Sequence, residues 1–265
     1  MKARGVVVVL DQQEQSEKLI EEFGRQILVP GINEEGQLNI SKKKICIIGL
    51  GALGTVASQY LVRAGIGEIH LIDYDIIEKS NLHRQINYDK DDVGKSKSNT
   101  SKHKLKNIND STIIKEHSLN FQSFIKKNPN NNFDLIFDCT DNHQNKIFSS
   151  KYSRANKISF VSISINSSEG IYFEQNNEEN NPSCFECLFP KADQNHRCLN
   201  SAMVGPVAGF VTSFACMKII FALAKIKTQL KSEINLIDLL TSDINKLELS
   251  NKDCPHSYEY IYTSI

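Results

Sequence analysis

The chain has 265 residues, of which 40% are apolar and 23% carry a charge. This length suits one large α/β domain, or a domain with a modest appendage, and it allows a sizeable core to be buried. Lysine plus arginine equals aspartate plus glutamate at 31 each, so no global field would draw the protein onto nucleic acid or an anionic membrane. We therefore expect neither as a partner, and the binding of charged molecules must be local.

The seven cysteines are an odd number, and several of them fall in apolar runs. This pattern favours reduced thiols in a cytoplasmic protein over a disulfide framework. We interpret Cys46, Cys139 and Cys216 as small core residues. Near the N-terminus, the apolar stretch 5–10 follows basic residues as it would in a signal peptide, but it is too short for one, and we expect a short strand there.

The first elements along the chain predict a helix followed by a βαβ unit. Residues 11–23 are polar with helical spacing, and the apolar stretch 44–48 ends in glycines, which is typical of a buried parallel strand. Residues 53–64 again have helical spacing. Two nearby glycines end that helix before a second strand at 68–73.

The same alternation continues through the middle of the chain. We predict a helix at 95–108, strands at 112–116 and 133–138, a helix at 145–156 and a strand at 158–163. Strands that alternate with helices build a wound, mostly parallel sheet, so the expected fold is α/β and Rossmann-like.

The pattern changes after the last of these strands. A further strand is followed by a solvated polar loop at 175–181, a cysteine pair, a long apolar helix at 204–224 and two or three strands that end near Leu249. The apolar helix has almost the length of a membrane span. It contains a proline and Lys218, which favours a buried helix whose lysine reaches the rim of the core or a subunit interface. We therefore expect a C-terminal β extension of the wound sheet.

A glycine-rich turn lies between the predicted strand at 44–48 and the helix that follows it. Gly49, Gly51 and Gly54 form the pattern Gly-x-Gly-x-x-Gly, and Asp73 ends the next strand about 20 residues further on. Glycines let the backbone approach a phosphate, the helix start offers unpaired N–H groups, and the aspartate can accept hydrogen bonds from ribose hydroxyls. The turn therefore predicts a nucleotide site.

Several segments of the chain resemble the ThiF/MoeB/HesA family, relatives of the ubiquitin-activating enzymes. The matching segments are Gly24-Arg-Gln-Ile27, Gly49-Leu-Gly-Ala-Leu-Gly54, the run from Asp73 to Gln85, Val93-Gly-Lys-Ser-Lys97, Asp138-Cys-Thr-Asp-Asn142 and Cys184-Phe-Glu-Cys-Leu-Phe-Pro190. They run in the family order. The resemblance implies one adenylation domain over residues 1–265, with a lead at 1–24, a nucleotide-binding core at 44–165 and a carrier-binding and dimerisation part at 166–265.

Charged side chains follow the predicted strands at the edge where nucleotides bind in such folds. Asn81 and Arg84 are three residues apart and share one face of a helical turn. Arg84 can bind a phosphate with two N–H groups, and Lys97 adds a second positive charge. Asp141 and the phosphates of ATP can together hold Mg²⁺. The nucleotide-binding residues that we expect are Gly49, Gly51, Ala52, Leu53, Gly54, Asp73, Asp75, Asn81, Arg84, Gln85, Lys97, Asp141 and Asn142.

The resemblance implies an ATP-dependent adenylation. The C-terminal glycine carboxylate of a small ubiquitin-like carrier ending in Gly-Gly attacks the α-phosphate of ATP. The products are an acyl adenylate, for later sulfur transfer in thiamine or molybdopterin synthesis, and pyrophosphate. No general base is needed, because a carboxylate is already ionised at neutral pH. The resemblance also implies a homodimer in which Arg25 acts on the ATP site of the other subunit.

Cys198 matches the cysteine that some family members link covalently to the carrier. The neighbouring His196 and Arg197 can favour its thiolate. A catalytic role and a merely retained thiol both stay open, because some relatives do not need this cysteine for adenylation.

Cys184 and Cys187 resemble half of the structural zinc site of the family. The other half is normally a second cysteine pair, and here it is Cys254-Pro-His256-Ser257, with a serine in place of the fourth cysteine. In one interpretation His256 completes a Cys/Cys/Cys/His set. In the other, zinc has been lost.

Three alternative functions stay open. Adenylation of a ribosomal peptide, as in microcin-type maturation, agrees with the resemblance at 66–73 and 91–94, but those enzymes usually carry a peptide-binding domain, for which the 24 residues before Arg25 are too few. An NAD-dependent dehydrogenase would share the glycine turn and leave Arg84, Lys97 and Asp141 without a role. The same charged set argues against a non-catalytic scaffold.

Overall fold

The helices and strands follow the order that the sequence predicts, with three short helices added. The computed structural model describes residues 12–177, 184–190, 202–224 and 230–249. The helices are α1 Gln12–Ile27, α2 Asn33–Ile40, α3 Ala52–Arg63, α4 Lys97–Lys106, α5 Phe121–Lys127, α6 His143–Ala155, α7 Phe185–Leu188 and α8 Gly205–Ala224. The strands are β1 Lys44–Ile48, β2 Glu68–Ile72, β3 Ile113–His117, β4 Leu135–Asp138, β5 Ser159–Asn166, β6 Glu169–Gln175, β7 Glu233–Asp238 and β8 Asp243–Glu248. The strand expected at 5–10 lies outside the described residues.

The described strands form one sheet in the order β3-β2-β1-β4-β5-β6-β7-β8. The pairs from β3 to β5 are parallel, and β6, β7 and β8 continue the sheet in antiparallel pairs. This confirms the predicted wound sheet and its C-terminal β extension. Because the chain builds outward from β1 on one side and from β4 on the other, a crevice opens at the carboxyl ends of these two strands.

The sheet is covered on both faces, which explains why its central strands are continuous apolar runs. Ile45 and Ile47 of β1 pack into one core with α2, α3, α4 and α8. Cys46 and Ile48 point to the opposite face and pack into a second core with α5, α6 and α7. The predicted burial of Cys46 is confirmed, and so is that of Cys139 and Cys216.

Helix α8 is long and apolar enough to cross a membrane by length and composition alone. It packs against α3 and α2 and against strands β5 and β6. Ala208, Ala215 and Ile219 are completely buried in these contacts. The prediction of a buried core helix at 204–224 is therefore confirmed.

Lys218, halfway along α8, lies among buried carboxylates. Its ammonium pairs with Glu233 of β7 and lies 3.5 Å from Oε2 of Glu174 in β6. Burial raises the pKa of Glu174. Burial also acts to raise the pKa of Glu233, but hydrogen bonds from Lys218 and Lys246 outweigh it and lower that pKa to about 2. Lys218 therefore ties α8 to the sheet, a role more specific than the rim position that the sequence suggests.

The sequence does not predict helix α2, because its eight residues are mostly polar and lack an apolar period. Tertiary hydrogen bonds explain it. Gln37 of α2 and Gln26 of α1 both donate to the carbonyl of Ala64, at 2.9 and 3.0 Å, and Gln26 also donates to Gln37 at 2.6 Å. The two glutamines satisfy a carbonyl at the end of α3, where Gly65 turns the chain with φ of 82°.

The prediction of a solvated loop at 175–181 is wrong for its first three residues. Gln175 is the last residue of β6, and Gln175, Asn176 and Asn177 are all buried. Ser150 donates to Gln175 at 2.8 Å, and Asn177 donates to the carbonyl of Ile158 at 2.5 Å. Polar side chains are buried here because they bond one another and the backbone. Residues 178–181 lie outside the described part.

His70 on β2 predicts a pH dependence of stability. Its Nε2 lies 2.7 Å from Glu68 Oε1, and its ring packs edge-on against Phe133. Burial lowers the pKa of His70 to about 4. In the unfolded chain the imidazole of His70 therefore binds a proton near pH 6.5, whereas in the folded chain it binds one only near pH 4. The free energy of unfolding should fall as the pH drops from about 6.5 towards 4. We expect a loss of about 2 kcal/mol between pH 7 and pH 5, measured by urea unfolding.

His70→Leu is the matched variant for this experiment. It puts an apolar side chain of similar size in the same place and removes the group that titrates, so the free energy of unfolding should change less between pH 7 and pH 5. A variant with the same pH dependence as the wild type would show that another group is responsible.

Candidate functional site

A cavity of about 680 Å³ opens where the chain leaves the carboxyl ends of β1, β2 and β4. Ile48, Ile72 and Asp138 are the last residues of these strands, and the loops that follow them form its floor. The cavity continues along β5 and β6 to an apolar wall that includes Phe173, Phe185, Phe189, Ile165, Ile171 and Met203. Its size is ordinary for a small-molecule site, and it lies at the crevice that the sheet order creates.

The glycine turn forms the part of the floor between β1 and α3. Gly49 has φ of 84°, and a Cβ there would lie 3.2 Å from the backbone nitrogen of Thr140. A Cβ on Gly54 would lie 1.8 Å from the carbonyl oxygen of Gly49. Gly51 occupies the N-cap of α3, and no side chain caps that helix. The first N–H groups of α3 are therefore available to an anion at the cavity.

Asp73, the first residue after β2, holds the glycine turn in place. Its Oδ2 accepts from the N–H of Leu50 at 2.6 Å, and its Oδ1 accepts from the N–H of Asp75 at 2.8 Å. Burial raises the pKa of Asp73, and these backbone hydrogen bonds act in the opposite direction. Each oxygen keeps a lone pair that can accept a ribose hydroxyl.

Two cations line the same side of the cavity. Lys97 begins α4, is buried, and places its Nζ 2.9 Å from Oδ2 of Asp75. Arg84 is half-buried, and its Nη1 donates to the carbonyl of Ser80 at 2.9 Å. The same Nη1 lies 2.6 Å from Nε2 of His83. Because both contacts use Nη1, the other two nitrogens of the guanidinium can bind an anion.

Two amide side chains complete this wall. Asn81 is buried, and its Oδ1 accepts from the N–H of Glu78 at 3.1 Å, which fixes the turn before Arg84. Gln85 is also buried, and its Oε1 has no hydrogen-bond partner among the described residues. A buried acceptor without a partner costs about 1–3 kcal/mol, which a hydroxyl or water bound in the cavity would offset.

Asp141 and Asn142 lie on the opposite side, after β4. Asn142 caps α6 by accepting from the N–H of Asn145 at 2.9 Å. Asp141 is exposed at the rim of the cavity, and it has no ion-pair partner within the described residues. An exposed carboxylate beside a phosphate site fits Mg²⁺, which takes oxygen ligands and keeps several waters. The uncapped α3, the two cations, the acceptor of Gln85 and Asp141 thus fit a nucleoside triphosphate with Mg²⁺.

The structure brings together most of the predicted site residues. Those that line the cavity are Gly49, Gly51, Ala52, Leu53, Asp73, Asp75, Asn81, Arg84, Gln85, Lys97, Asp141 and Asn142. Gly54 does not line the cavity. It lies against Gly49, where the absence of a side chain lets α3 pack on the glycine turn. Arg25 is exposed in the last turn of α1 and is absent from the described lining.

The predicted cysteine sites are described only in part. Cys184 is buried directly before α7, and Cys187 is half-buried within it. Cys198, Cys254 and His256 lie outside the described residues. Within the described ranges, no group of three or more His, Cys, Asp or Glu side chains could hold a metal ion.

Sequence reasoning missed Lys146 and its neighbours. Lys146 lies in the first turns of α6, is buried, and lines the cavity beside Ser162 of β5. Its signal in the sequence was its spacing of four residues from Asn142, which places both on the inner side of the helix. A lysine in a polar helix is usually solvated, so spacing alone carries little weight.

The sequence profile of the ThiF family matches residues 23–256. The chain is 34% identical over 196 residues to the adenylyltransferase and sulfurtransferase uba4 of Aspergillus niger, a match that covers 71% of this chain and 41% of that protein. It is 30% identical over 236 residues to the adenylyltransferase and sulfurtransferase MOCS3 of Caenorhabditis briggsae, covering 87% of this chain and 58% of that protein. The chain thus spans about half the length of these relatives.

Solved structures with the same fold include E. coli MccB with SeMet MccA, at a TM-score of 0.76 and 20% identity. That match covers 94% of this chain and 82% of that one. PaaA superposes with a TM-score of 0.74 and 19% identity, covering 94% of this chain and 77% of that one. At such identities these two structures establish the fold and nothing further.

Gly54→Ala tests how tightly the glycine turn packs. The added methyl group would overlap the carbonyl of Gly49, so the turn must shift. We expect a loss of about 1–3 kcal/mol in the free energy of unfolding, measured with urea. Gly209→Ala in α8 is the control, because among the described residues no atom outside the backbone of its own helix lies within 4 Å of its added Cβ. It should be neutral or stabilising. Equal stability of both variants would contradict the packing described.

Proposed function

The chain belongs to the ThiF family, and we propose that it is an adenylyltransferase that uses ATP to activate a C-terminal carboxylate. The observation that carries this proposal is the pairing of an uncapped helix start with Arg84 and Lys97 in one cavity. Such a site binds several phosphates at once, as a triphosphate requires. The adenylyltransferase activity named for the uba4 and MOCS3 relatives supports it.

The proposed reaction needs two anions to meet. An oxygen of the substrate carboxylate attacks the α-phosphorus of ATP, and the bond from that phosphorus to the bridging oxygen breaks, which releases pyrophosphate. Both groups are negative, so the protein must orient them and screen their repulsion. Arg84 and Lys97 supply positive charge beside the phosphates, and Asp73 holds the glycine turn and accepts ribose hydroxyls. Bound Mg²⁺, held by Asp141, would add further charge neutralisation at the phosphates.

We propose a ubiquitin-like carrier of the ThiS/MoaD type, ending in Gly-Gly, as the substrate. The names of the relatives join adenylyl transfer with sulfur transfer, as expected for a carrier that later receives sulfur in thiamine or molybdopterin synthesis. A ribosomal peptide is the second candidate, because the MccB structures contain MccA and share this fold. A dehydrogenase is disfavoured, since Arg84, Lys97 and Asp141 would have no role in hydride transfer.

We further propose a cytoplasmic homodimer in which Arg25 acts in trans. Its support is local: Arg25 is exposed at the end of α1, beside Leu28, whose side chain is 82% exposed, and Val29. An exposed apolar pair next to an arginine is typical of a contact surface. Two assignments rest on the resemblance alone, namely Cys198 as a thiol that links to the carrier, and zinc held by Cys184, Cys187, Cys254 and His256.

Arg84→Ala tests the activity. Purified protein with labelled pyrophosphate, ATP, Mg²⁺ and a Gly-Gly-ending carrier should exchange label into ATP, and the variant should exchange at least about 100-fold more slowly. Arg63→Ala, at the exposed end of α3, is the matched control and should leave exchange unchanged. Exchange with short peptides in place of the carrier would favour the second candidate. Undiminished exchange by Arg84→Ala would refute the proposed site.

Mixing two inactive variants tests whether Arg25 acts in trans. Arg25→Ala and Arg84→Ala should each be nearly inactive as pure proteins. After mixing under conditions that allow subunits to exchange, a mixed dimer holds one site with both arginines if Arg25 comes from the other subunit. We expect the mixture to recover about a quarter of the wild-type exchange rate, because half the dimers are mixed. No recovery after verified subunit exchange would place Arg25 in its own subunit's site, and a pure Arg25→Ala protein that stays active would place Arg25 outside both sites.

A further inference from the structure

Lys146 is a buried cation in the wall of the cavity that the proposed reaction does not use. Its ammonium donates to the Oγ of Ser162 at 3.0 Å and to the carbonyl of Ile163 at 2.8 Å, both in β5. It also lies 3.4 Å from Oδ1 and 3.4 Å from the carbonyl oxygen of Asp138 at the end of β4. The side chain therefore joins α6 to the ends of two neighbouring strands.

Asp138 in turn shapes the loop that follows β4. It is completely buried, and its Oδ1 accepts from the N–H and the hydroxyl of Thr140, at 2.9 and 2.6 Å. Its Oδ2 accepts from Ser149 of α6 at 2.5 Å. Lys146 is the one cation within 4.0 Å of this carboxylate in the described part of the chain. A buried carboxylate without such a partner is strongly unfavourable.

The loop held in this way touches both halves of the nucleotide site. It carries Asp141 one residue beyond Thr140, and the backbone nitrogen of Thr140 would lie 3.2 Å from a Cβ on Gly49, which is a tight contact. A shift of the loop would thus move Asp141, whereas the glycine turn is also held from its other side by the hydrogen bond between Asp73 and the N–H of Leu50. The three N–H groups of the ammonium are already taken by Ser162, Ile163 and Asp138, so none is left for a phosphate.

We propose that Lys146 is a positioning residue, which neutralises Asp138 and so holds the loop 139–141 in the shape that presents Asp141 to the metal ion of Mg·ATP. The inference rests on the proposed function. It assigns Lys146 a role through Asp138 and without contact to the nucleotide. Loss of the ammonium would leave the buried carboxylate to recruit water or turn outward, and either change would displace the loop.

The test measures ATP binding by calorimetry without a carboxylate substrate, once with MgCl₂ and once with EDTA. In the wild type, Mg²⁺ should strengthen ATP binding, and Asp141→Ala should remove that gain. We expect Lys146→Met to reduce the gain at least about tenfold and to change ATP affinity in EDTA by less than about threefold. Lys146→Arg should retain most of the gain, because it keeps the positive charge. Ser150→Ala, also buried in α6 but bonded away from the cavity to Gln175, should behave as the wild type.

A double variant separates positioning from direct contact. Lys146→Met combined with Asp138→Asn removes both charges and keeps an oxygen for Thr140, so the gain from Mg²⁺ should return in large part. It also serves if the single variant does not fold. A double variant without the gain, or a single variant that weakens ATP binding equally in EDTA, would overturn the proposal. Failure of the wild type to bind ATP would instead refute the proposed function.

Discussion

The site depends on how closely three loops approach one another without side chains between them. The glycine turn after β1 lies against the loop after β4, where a Cβ on Gly49 would be only 3.2 Å from the backbone nitrogen of Thr140. From the other side, Asp73 of the loop after β2 bonds the N–H of Leu50 at 2.6 Å. The N-terminal end of α3 can therefore face the cavity between the loop after β2 and the loop after β4. A phosphate placed there would meet groups from all three strands at once.

The ion pairs of the cavity differ in whether a bound anion can reach the cation. Lys97 is buried but its partner Asp75 has a half-exposed side chain, so an anion can approach Lys97 while water compensates Asp75. Arg84 contacts the carbonyl of Ser80 and Nε2 of His83 through Nη1, which leaves its other two nitrogens for a ligand. By contrast, both side chains of the pair of Lys146 and Asp138 are almost completely buried. The first kind of pair suits binding, and the second suits holding a loop in shape.

Much of the fold could be predicted because parallel strands buried on both faces are continuous apolar runs. The cations Arg84 and Lys97 could be predicted because they lie in segments that resemble the family. The features that could not be predicted depend on contacts between residues far apart in the sequence. Helix α2 exists because Gln26 and Gln37 share the carbonyl of Ala64. Gln175 and Asn177 are polar and yet buried, because each finds an internal partner. Lys146 has only its spacing from Asn142 as a local signal, since its acceptors come from β4 and β5.

Helix α8 connects the nucleotide half of the protein with the antiparallel half. Its first residue, Gly205, packs against the turn that carries Arg84: a Cβ there would lie 3.3 Å from the carbonyl of His83. Its middle packs along α3, with Cys216 against the carbonyl of Ala57 at 4.0 Å, and Lys218 pairs with Glu174 and Glu233 in β6 and β7. Helix α3 and the β6 wall thus rest on one shared helix. Since β6 lines the far end of the cavity, this shared support fixes the position of that wall relative to α3.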